Sequence, residues 1–119
     1  MRNLLLALFF ITTSAWSADQ VFLEGFPDVP LLDGLSEQAD DRVIFDTPSG
    51  TVAETVIRAK IPAKQVLNTY SKELVTFGWD CARGPLSLTC ERENDRLVFL
   101  DDDPDASEGI MILRLEPVE

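Results

Sequence analysis

PAKQVLNTYSKELVTFGW, residues 62–79, is the stretch that decides the predicted fold. Its apolar residues recur at steps of three and four, which places them on one face of a helix. They are Ala63, Val66, Leu67, Tyr70, Leu74 and Phe77. Pro62 suits the first turn of a helix because proline has no amide hydrogen to donate there, and Gly78 is the residue type that most often follows a helix end. The pattern predicts one amphipathic helix, with Tyr70 as a core residue and not a catalytic phenol.

Segments with the composition of β-strands lie on both sides of this helix. They are residues 42–46 and 51–60 before it and, after it, the two arms of a hairpin around Gly84-Pro85, residues 96–100 and residues 110–115. The last two are nearly continuous apolar runs, which is typical of central strands. The predicted order is β-β-α-β-β-β-β, mostly with connections short enough for antiparallel pairing. We therefore predict an α+β fold in which one amphipathic helix packs on one face of an antiparallel sheet.

Two cysteines, Cys81 and Cys90, flank the Gly84-Pro85 turn. A turn centred between Pro85 and Leu86 places them directly opposite each other, with both side chains on one face. Cross-strand neighbours have Cβ atoms about 4.5–5.5 Å apart, which a small adjustment brings within reach of a disulfide. We predict a structural disulfide, and closing so short a loop contributes about 2–3 kcal/mol. Two free buried thiols are the alternative; a redox role is disfavoured because the spacing is not C-x-x-C.

Residues 1–17 have the organisation of a secretory signal peptide. Arg2 precedes a short apolar run, and small residues follow it. Ala15 and Ser17 occupy the −3 and −1 positions of a cut after residue 17, and a cut after Ala18 is the alternative. The apolar run is shorter than the roughly 20 residues that span a bilayer. We expect a secreted, periplasmic protein with no stable membrane anchor after cleavage.

The predicted mature chain is strongly acidic. It carries nine basic residues against 21 acidic ones, a net charge of −12. Nucleic acid and anionic membrane surfaces would repel it, so neither is an expected partner. Cations and basic protein surfaces would be attracted, although solubility alone also accounts for the acidity. The length of this chain predicts a single domain.

Residues 18–41 are predicted to form an extended N-terminal segment ahead of one α+β domain, residues 42–119. Prolines and a glycine in this segment disfavour regular structure. Its apolar residues are expected to dock on the domain. They are Phe22, Phe26, Val29 and Leu32. An antiparallel sheet has open edges, for which the 42–46 strand and the Cys81–Cys90 hairpin are candidates, and we expect the N-terminal segment to cover one.

Short motifs in this chain resemble a known group of exported proteins. The Y-x-x-x-L-x-x-x-G-W motif of residues 70–79, after a strand pair, resembles small exported α+β domains of Gram-negative bacteria. The sequences FDTPSG at residues 45–50 and PLLDGL at residues 30–35 are similar to those of one alphaproteobacterial group of such proteins. The resemblance covers about residues 26–116 and implies a fold and a compartment. The group has no established activity, so no function is implied, and the cysteine pair is outside its pattern.

The chain contains no histidine. This removes the usual general base, the Ser-His-Asp and Cys-His arrangements and the usual zinc ligands. Glycine motifs that bind dinucleotides or phosphates are also missing. We therefore predict no catalytic residue and no cofactor, which argues against an enzyme but leaves the question open. Paired carboxylates alone can still hydrolyse glycosides.

An acidic stretch, LDDDPDASEGIM at residues 100–111, lies between the last two predicted strands. Its carboxylates are weak candidates for a cation site because calcium favours oxygen ligands at alternating positions. The candidates are Asp101, Asp103, Asp105 and Glu108. The EF-hand pattern further requires glycine at its sixth and glutamate at its twelfth position, where this chain has Ala106 and Ile112. A solvated hairpin loop is the favoured interpretation.

These observations lead us to expect a non-catalytic periplasmic binding or accessory module for another envelope protein, of undetermined oligomeric state. The alternatives are a small carboxylate-dependent hydrolase and a weak cation-binding protein that uses the 101–108 loop. A cleft with two carboxyl groups about 5–9 Å apart would favour the hydrolase. Exposed apolar residues beside a sheet edge would favour the module.

Overall fold

The computed structural model describes residues 20–118, so the predicted signal peptide, residues 1–17, lies outside the described residues. Among these residues, three strands precede the helix and four follow it. In chain order the elements are β1 (Leu35–Glu37), β2 (Val43–Thr47), β3 (Gly50–Ala59), α1 (Ala63–Glu73), β4 (Asp80–Arg83), β5 (Ser87–Arg92), β6 (Asp95–Asp101) and β7 (Ile110–Pro117). Short 3-10 turns occupy Ala39–Asp41 and Leu74–Phe77.

All the strands join one antiparallel sheet in the order β1-β3-β7-β6-β5-β4, and β2 also pairs with β3. The predicted α+β fold, with one helix on an antiparallel sheet, is confirmed. The two apolar runs predicted to be central, β6 and β7, are inside the sheet. The structure contains one strand that the sequence does not predict. This strand is β1, Leu35–Glu37, and it lies in the segment that is predicted to be irregular.

One outer side of β3 is shared by β1 and β2, which run in the same direction along it. From Glu37 to Val43 the chain advances six residues, whereas the paired positions on β3 advance only three. The extra residues are looped out as the 3-10 turn Ala39–Asp41. This edge of the sheet is therefore a strand interrupted by a bulge, and β2 is its longest continuous part.

The core lies between α1 and one face of the sheet. The helix buries the side chains that its periodicity predicts, with Phe77 partly buried at the end. Opposite them, alternate residues of the strands are buried, including Ile57 of β3, Phe99 of β6 and Leu113 of β7. The sheet consequently has one buried face, which contacts the helix, and one open face.

Tyr70 is a core residue, as its position on the helix predicts. Its side chain has no exposed surface, packs against Phe99 with ring centroids 4.7 Å apart, and its hydroxyl donates a hydrogen bond to the Pro30 carbonyl at 2.6 Å. Burial raises the pKa of the Tyr70 phenol well above its ordinary value, and a smaller effect of the Leu32 backbone lowers it. The phenol therefore ties the N-terminal segment to the helix as a neutral hydrogen-bond donor.

The N-terminal segment contributes to the core. Phe26 and Val29 are buried as expected and Leu32 is partly buried, but the third fully docked side chain is Leu23, since Phe22 is 44% exposed. The segment makes no backbone hydrogen bond to β2. It contributes β1 to that side of the sheet and packs Gly25 against the Ile44 side chain of β2, but it leaves the backbone edge of β2 unpaired.

A glycine lies at each end of the helical region, one in the chain after its end and one in a loop that packs against its start. Gly78 ends it in a left-handed conformation with φ of 89°, as predicted from its position. Gly109, in the loop before β7, lies against the first turn of α1, where a Cβ atom would come within 2.6 Å of the Ala63 nitrogen. A side chain at Gly109 would therefore force the loop and the helix apart.

Candidate interaction surface

The disulfide joins Cys81 of β4 to Cys90 of β5, which face each other in the register with Cα atoms 4.0 Å apart. This confirms the predicted pair and the predicted centre of the hairpin turn. Cys90 is fully buried beneath the helix layer, so the bond ties the outermost strand to the core. A disulfide-bonded pair is consistent with an exported protein, because oxidising compartments are where such bonds persist.

The β4 edge is protected in several further ways. It is four residues long, with Asp80 at one end and Arg83 at the other. The Arg83 guanidinium donates to the Asn68 side chain of α1 at 3.0 Å and to the carbonyls of Gly84 and Ser87 at 2.6 and 2.8 Å. Short length, charge and contacts to a neighbouring helix are devices that prevent an edge from pairing with another chain.

The β2 edge is only one residue longer and carries Asp46, but three of its five side chains are large, apolar and exposed. Val43, Ile44 and Phe45 are consecutive, and 52%, 39% and 52% of their surfaces are exposed. Within residues 20–118, the backbone of Val43–Thr47 makes hydrogen bonds only to β3, so its other side is unpaired. An exposed apolar edge strand is a ready template for pairing with another chain.

An apolar surface continues from β2 across the open face. Directly opposed residues on paired strands project from the same face, so Phe45 lies beside Val52, and Val56 lies beside Ile112. We call this set the open-face stripe. Its members are Val43, Phe45, Val52, Val56, Leu100 and Ile112. Those beyond β2 are half-buried by their neighbours, and no described element covers them.

One ion pair crosses the open-face stripe between Val52 and Val56, and others flank it. Arg114 of β7 pairs with Glu54 of β3 at 3.0 Å, and Arg96 of β6 pairs with Glu91 and Glu116 at 3.1 and 3.2 Å. The hydrogen bonds from Arg96 to Glu91 and then to Glu116 raise the pKa of its guanidinium. Arg114 and Arg96 are thus paired with carboxylates on this face, and the apolar side chains between and beside these pairs are left exposed to solvent.

A cleft of about 460 Å³ opens on the other face of β2. Phe26, Pro27, Ile44 and Leu115 supply apolar walls, and Asp46 and Asp95 supply two carboxylates. The Thr51 hydroxyl donates to the Asp46 carboxylate at 3.0 Å. The lining contains no basic group, so a cationic side chain with an apolar stem matches its chemistry.

The charge around β2 is negative because its one neighbouring base is already engaged. Arg42 pairs with Glu37 at 3.0 Å and with Glu24 at 3.2 Å. The Glu37 carboxylate also accepts a hydrogen bond at 2.6 Å from Thr55, whose side chain is fully buried. This network links Glu24 of the N-terminal segment to β1 and β3 through Arg42, the residue that precedes β2, and it has a structural role.

The acidic stretch forms the hairpin loop between β6 and β7. The Asp101 carboxylate accepts a hydrogen bond from the Asp103 amide at 3.2 Å, and the Asp103 carbonyl accepts one from the Ala106 amide at 3.1 Å. Among residues 20–118, no three acidic, histidine or cysteine side chains lie where they could hold a metal ion. The structure thus does not gather the weak candidates into a ligand set. They are Asp101, Asp103, Asp105 and Glu108.

Comparisons with protein-family models, curated proteins and solved structures find no match for this chain. The resemblance to small exported proteins of Gram-negative bacteria therefore stays a prediction. No helix in the described part of the chain is long and apolar enough to cross a membrane. The surface around β2 is the feature on which a function can be argued.

Proposed function

We propose that this protein is a non-catalytic binding or accessory module of the bacterial periplasm, and that it docks on another envelope protein through β2 and the open-face stripe. The observation that carries the proposal is the exposure of Val43, Ile44 and Phe45 on an unpaired edge strand. Large apolar side chains in contiguous surface patches are typical of interaction sites.

The distribution of exposed apolar residues supports this choice of surface. In residues 20–118, eight large hydrophobic side chains are exposed, and three of them are consecutive in β2. The others are divided between the N-terminal segment, the helix layer and the β4–β5 turn. Scattered apolar residues need no functional explanation, whereas a run beside an apolar sheet face does.

The signal-peptide pattern of residues 1–17 and the Cys81–Cys90 disulfide support a periplasmic location. The net charge supports a protein partner, since nucleic acid and anionic lipid would be repelled.

The hydrolase alternative has less support. The general acid of a glycosidase needs a raised pKa, which burial among apolar groups typically supplies. Asp46 and Asp95 share a cleft, but no carboxylate of residues 20–118 is fully buried.

Site-specific photo-crosslinking in the host envelope tests the proposal. A benzophenone amino acid replaces Phe45 in one variant and Val75 in a control; Val75 is 58% exposed but lies in the helix layer. We expect a discrete adduct with an envelope protein from position 45 and none from position 75. No adduct from position 45, or the same adducts from both positions, would contradict the proposal.

A further inference from the structure

We infer that β2 accepts an extended segment of the partner as an additional strand, and that this segment carries lysine or arginine side chains that enter the cleft beside Asp46. This inference rests on the proposed function and specifies the chemistry of the partner. It is argued from the hydrogen-bonding edge, the cleft and the local charge.

The backbone of β2 presents a free edge of defined register. The turn Pro48-Ser49 joins the opposed residues Thr47 and Gly50, which form the first hydrogen-bonded pair of a two-residue hairpin. Such pairs alternate along an antiparallel ladder, so the amide and carbonyl groups of Ile44 and Asp46 point away from β3. A strand added beside β2 would satisfy them, which is the β-augmentation mode of peptide recognition.

Side chains of the added strand would fall into two environments. On one face they would extend the open-face stripe beside Val43 and Phe45. On the other face they would lie beside Ile44 and Asp46, over the cleft that also contains Asp95. Because side chains alternate along a strand, a segment of alternating apolar and basic residues fits both environments. A lysine or arginine stem would contact Ile44 while its head reaches the Asp46 carboxylate at the near side of the cleft.

The local charge favours a basic partner over a second copy of this chain. Exposed carboxylates lie at both ends of β2. They are Asp40, Asp41 and Asp46. Arg42, the base next to them, is engaged by Glu37 and Glu24. Pairing two β2 edges would bring these like charges together in a chain that is already strongly acidic, whereas a basic segment would be attracted.

The test uses a synthetic peptide, Ac-Thr-Lys-Val-Lys-Val-Lys-Thr-NH2, whose lysines and valines project from opposite sides of a strand. Its binding to the intact protein is measured by calorimetry at two salt concentrations. One control peptide carries glutamate in place of lysine, and a second carries N-methyl groups on alternate amides, which block strand pairing. We expect the lysine peptide to bind and both control peptides to fail.

Protein variants locate the site. Asp46→Lys/Asp95→Lys reverses the charge of the cleft, and Asp103→Lys/Asp105→Lys makes the same change in net charge at the opposite end of β6. We expect the cleft variant to bind the peptide about tenfold more weakly or worse, and the loop variant to lose no more than about threefold. Asp46→Asn/Asp95→Asn removes the charges with minimal change in shape, and should also lose about tenfold.

Several outcomes would overturn the inference. They are no binding of the lysine peptide, equal binding of the N-methylated peptide, equal losses in the cleft and loop variants, and a wild-type dimer joined at β2. If position 45 still gives its crosslink in any of these cases, the basic strand is wrong but the docking surface stands. If position 45 gives no crosslink, the proposed function itself fails.

Discussion

At one edge of the sheet, β4 is four residues long, bears Asp80 and Arg83 at its ends, and is stapled to β5 by a disulfide. At the other edge, β2 exposes three large apolar side chains in succession, and no disulfide joins it to its neighbouring strand. If β2 is the docking edge proposed above, one small sheet divides two tasks, stability and binding, between its edges. The β4 edge contributes stability and resists pairing, while the β2 edge contributes little stability and remains available for pairing.

This division predicts that perturbations separate into two classes. Changes near β4 or in the core should lower the free energy of unfolding without changing what β2 binds. Changes at β2 should alter what β2 binds and leave the free energy of unfolding nearly unchanged.

The largest expected effect is the loss of the N-terminal segment, on which both edges depend. Deleting residues 18–34 removes the buried side chains of Leu23, Phe26 and Val29 and the carbonyl that Tyr70 bonds. Each buried apolar side chain stabilises by about 1.5–3 kcal/mol, so the sum approaches the whole stability of a small domain. We expect far-UV circular dichroism to show an unfolded chain. Val21→Thr, at a position that is 60% exposed, is the control and should stay folded.

A cooperative thermal transition in the truncated protein would contradict this expectation. It would mean that the sheet and helix form a stable core without the segment.

The next effect concerns the β4 edge alone. Cys81→Ala/Cys90→Ala should lower the free energy of unfolding by about 2–3 kcal/mol, because the unfolded chain gains the freedom that the short disulfide loop removes. Urea denaturation of the variant, and of the wild type with and without reductant, measures this. Crosslinking from position 45 should be unchanged. A variant that keeps full stability but loses the crosslink would reverse the roles assigned to the two edges.

Tyr70→Phe tests the helix layer, which is common to both edges. The substitution leaves the Pro30 carbonyl without its 2.6 Å partner and should cost about 1–3 kcal/mol at neutral pH. The folded state holds the phenol proton more tightly than the unfolded chain, so the stability from this group is present below the ordinary pKa of 10.0 and is lost as pH rises above it.

Urea denaturation between neutral pH and pH about 11 measures both effects. Tyr70 is the only tyrosine in the chain, so no other phenol contributes to the difference between the two proteins. We expect the wild type to lose its advantage over Tyr70→Phe in alkali. A difference that stays constant or grows with pH would show that the phenol is not held neutral by the fold.

The smallest effect on stability is expected at β2. Val43→Thr/Phe45→Thr places threonine, a β-branched residue that favours strands, at both positions and should change the free energy of unfolding by less than about 1 kcal/mol. Binding of a hydrophobic dye to the native protein should fall clearly, because these side chains are half exposed. Val75→Thr changes a side chain that is similarly exposed, at 58%, but stands apart from the open-face stripe, and it should lower the dye signal less. Equal signals from the two variants would mean that β2 is not part of a larger apolar surface.

The parts of this structure that local patterns control could be predicted from the sequence. The helix from Ala63 follows from its apolar periodicity, and the Cys81–Cys90 pair follows from the position of the turn. The buried face of β3 could not be chosen, because apolar residues such as Val52 and Val56 also lie on its open face. When a strand carries apolar residues on both faces, its sequence does not indicate which face the helix covers.

The remaining features depend on contacts between distant parts of the chain. β1 forms because Leu35–Glu37 reaches a free section of β3, and no local pattern indicates this pairing. The strand at residues 42–46 was a candidate edge, but its exposure depends on β3 pairing with β7 on its other side and on the N-terminal segment entering the core. The cleft joins Asp46 to Asp95, which are far apart in sequence.

Amide hydrogen exchange during peptide binding tests the central claim most directly. The protein is compared with and without the lysine peptide, and exchange is followed at single amides by NMR. The account predicts slower exchange at Ile44 and Asp46, whose amides face away from β3, and no change along Asp80–Arg83. Protection along Asp80–Arg83, or no protection at Ile44 and Asp46 when the peptide is bound, would contradict the claim that β2 is the edge on which partners dock.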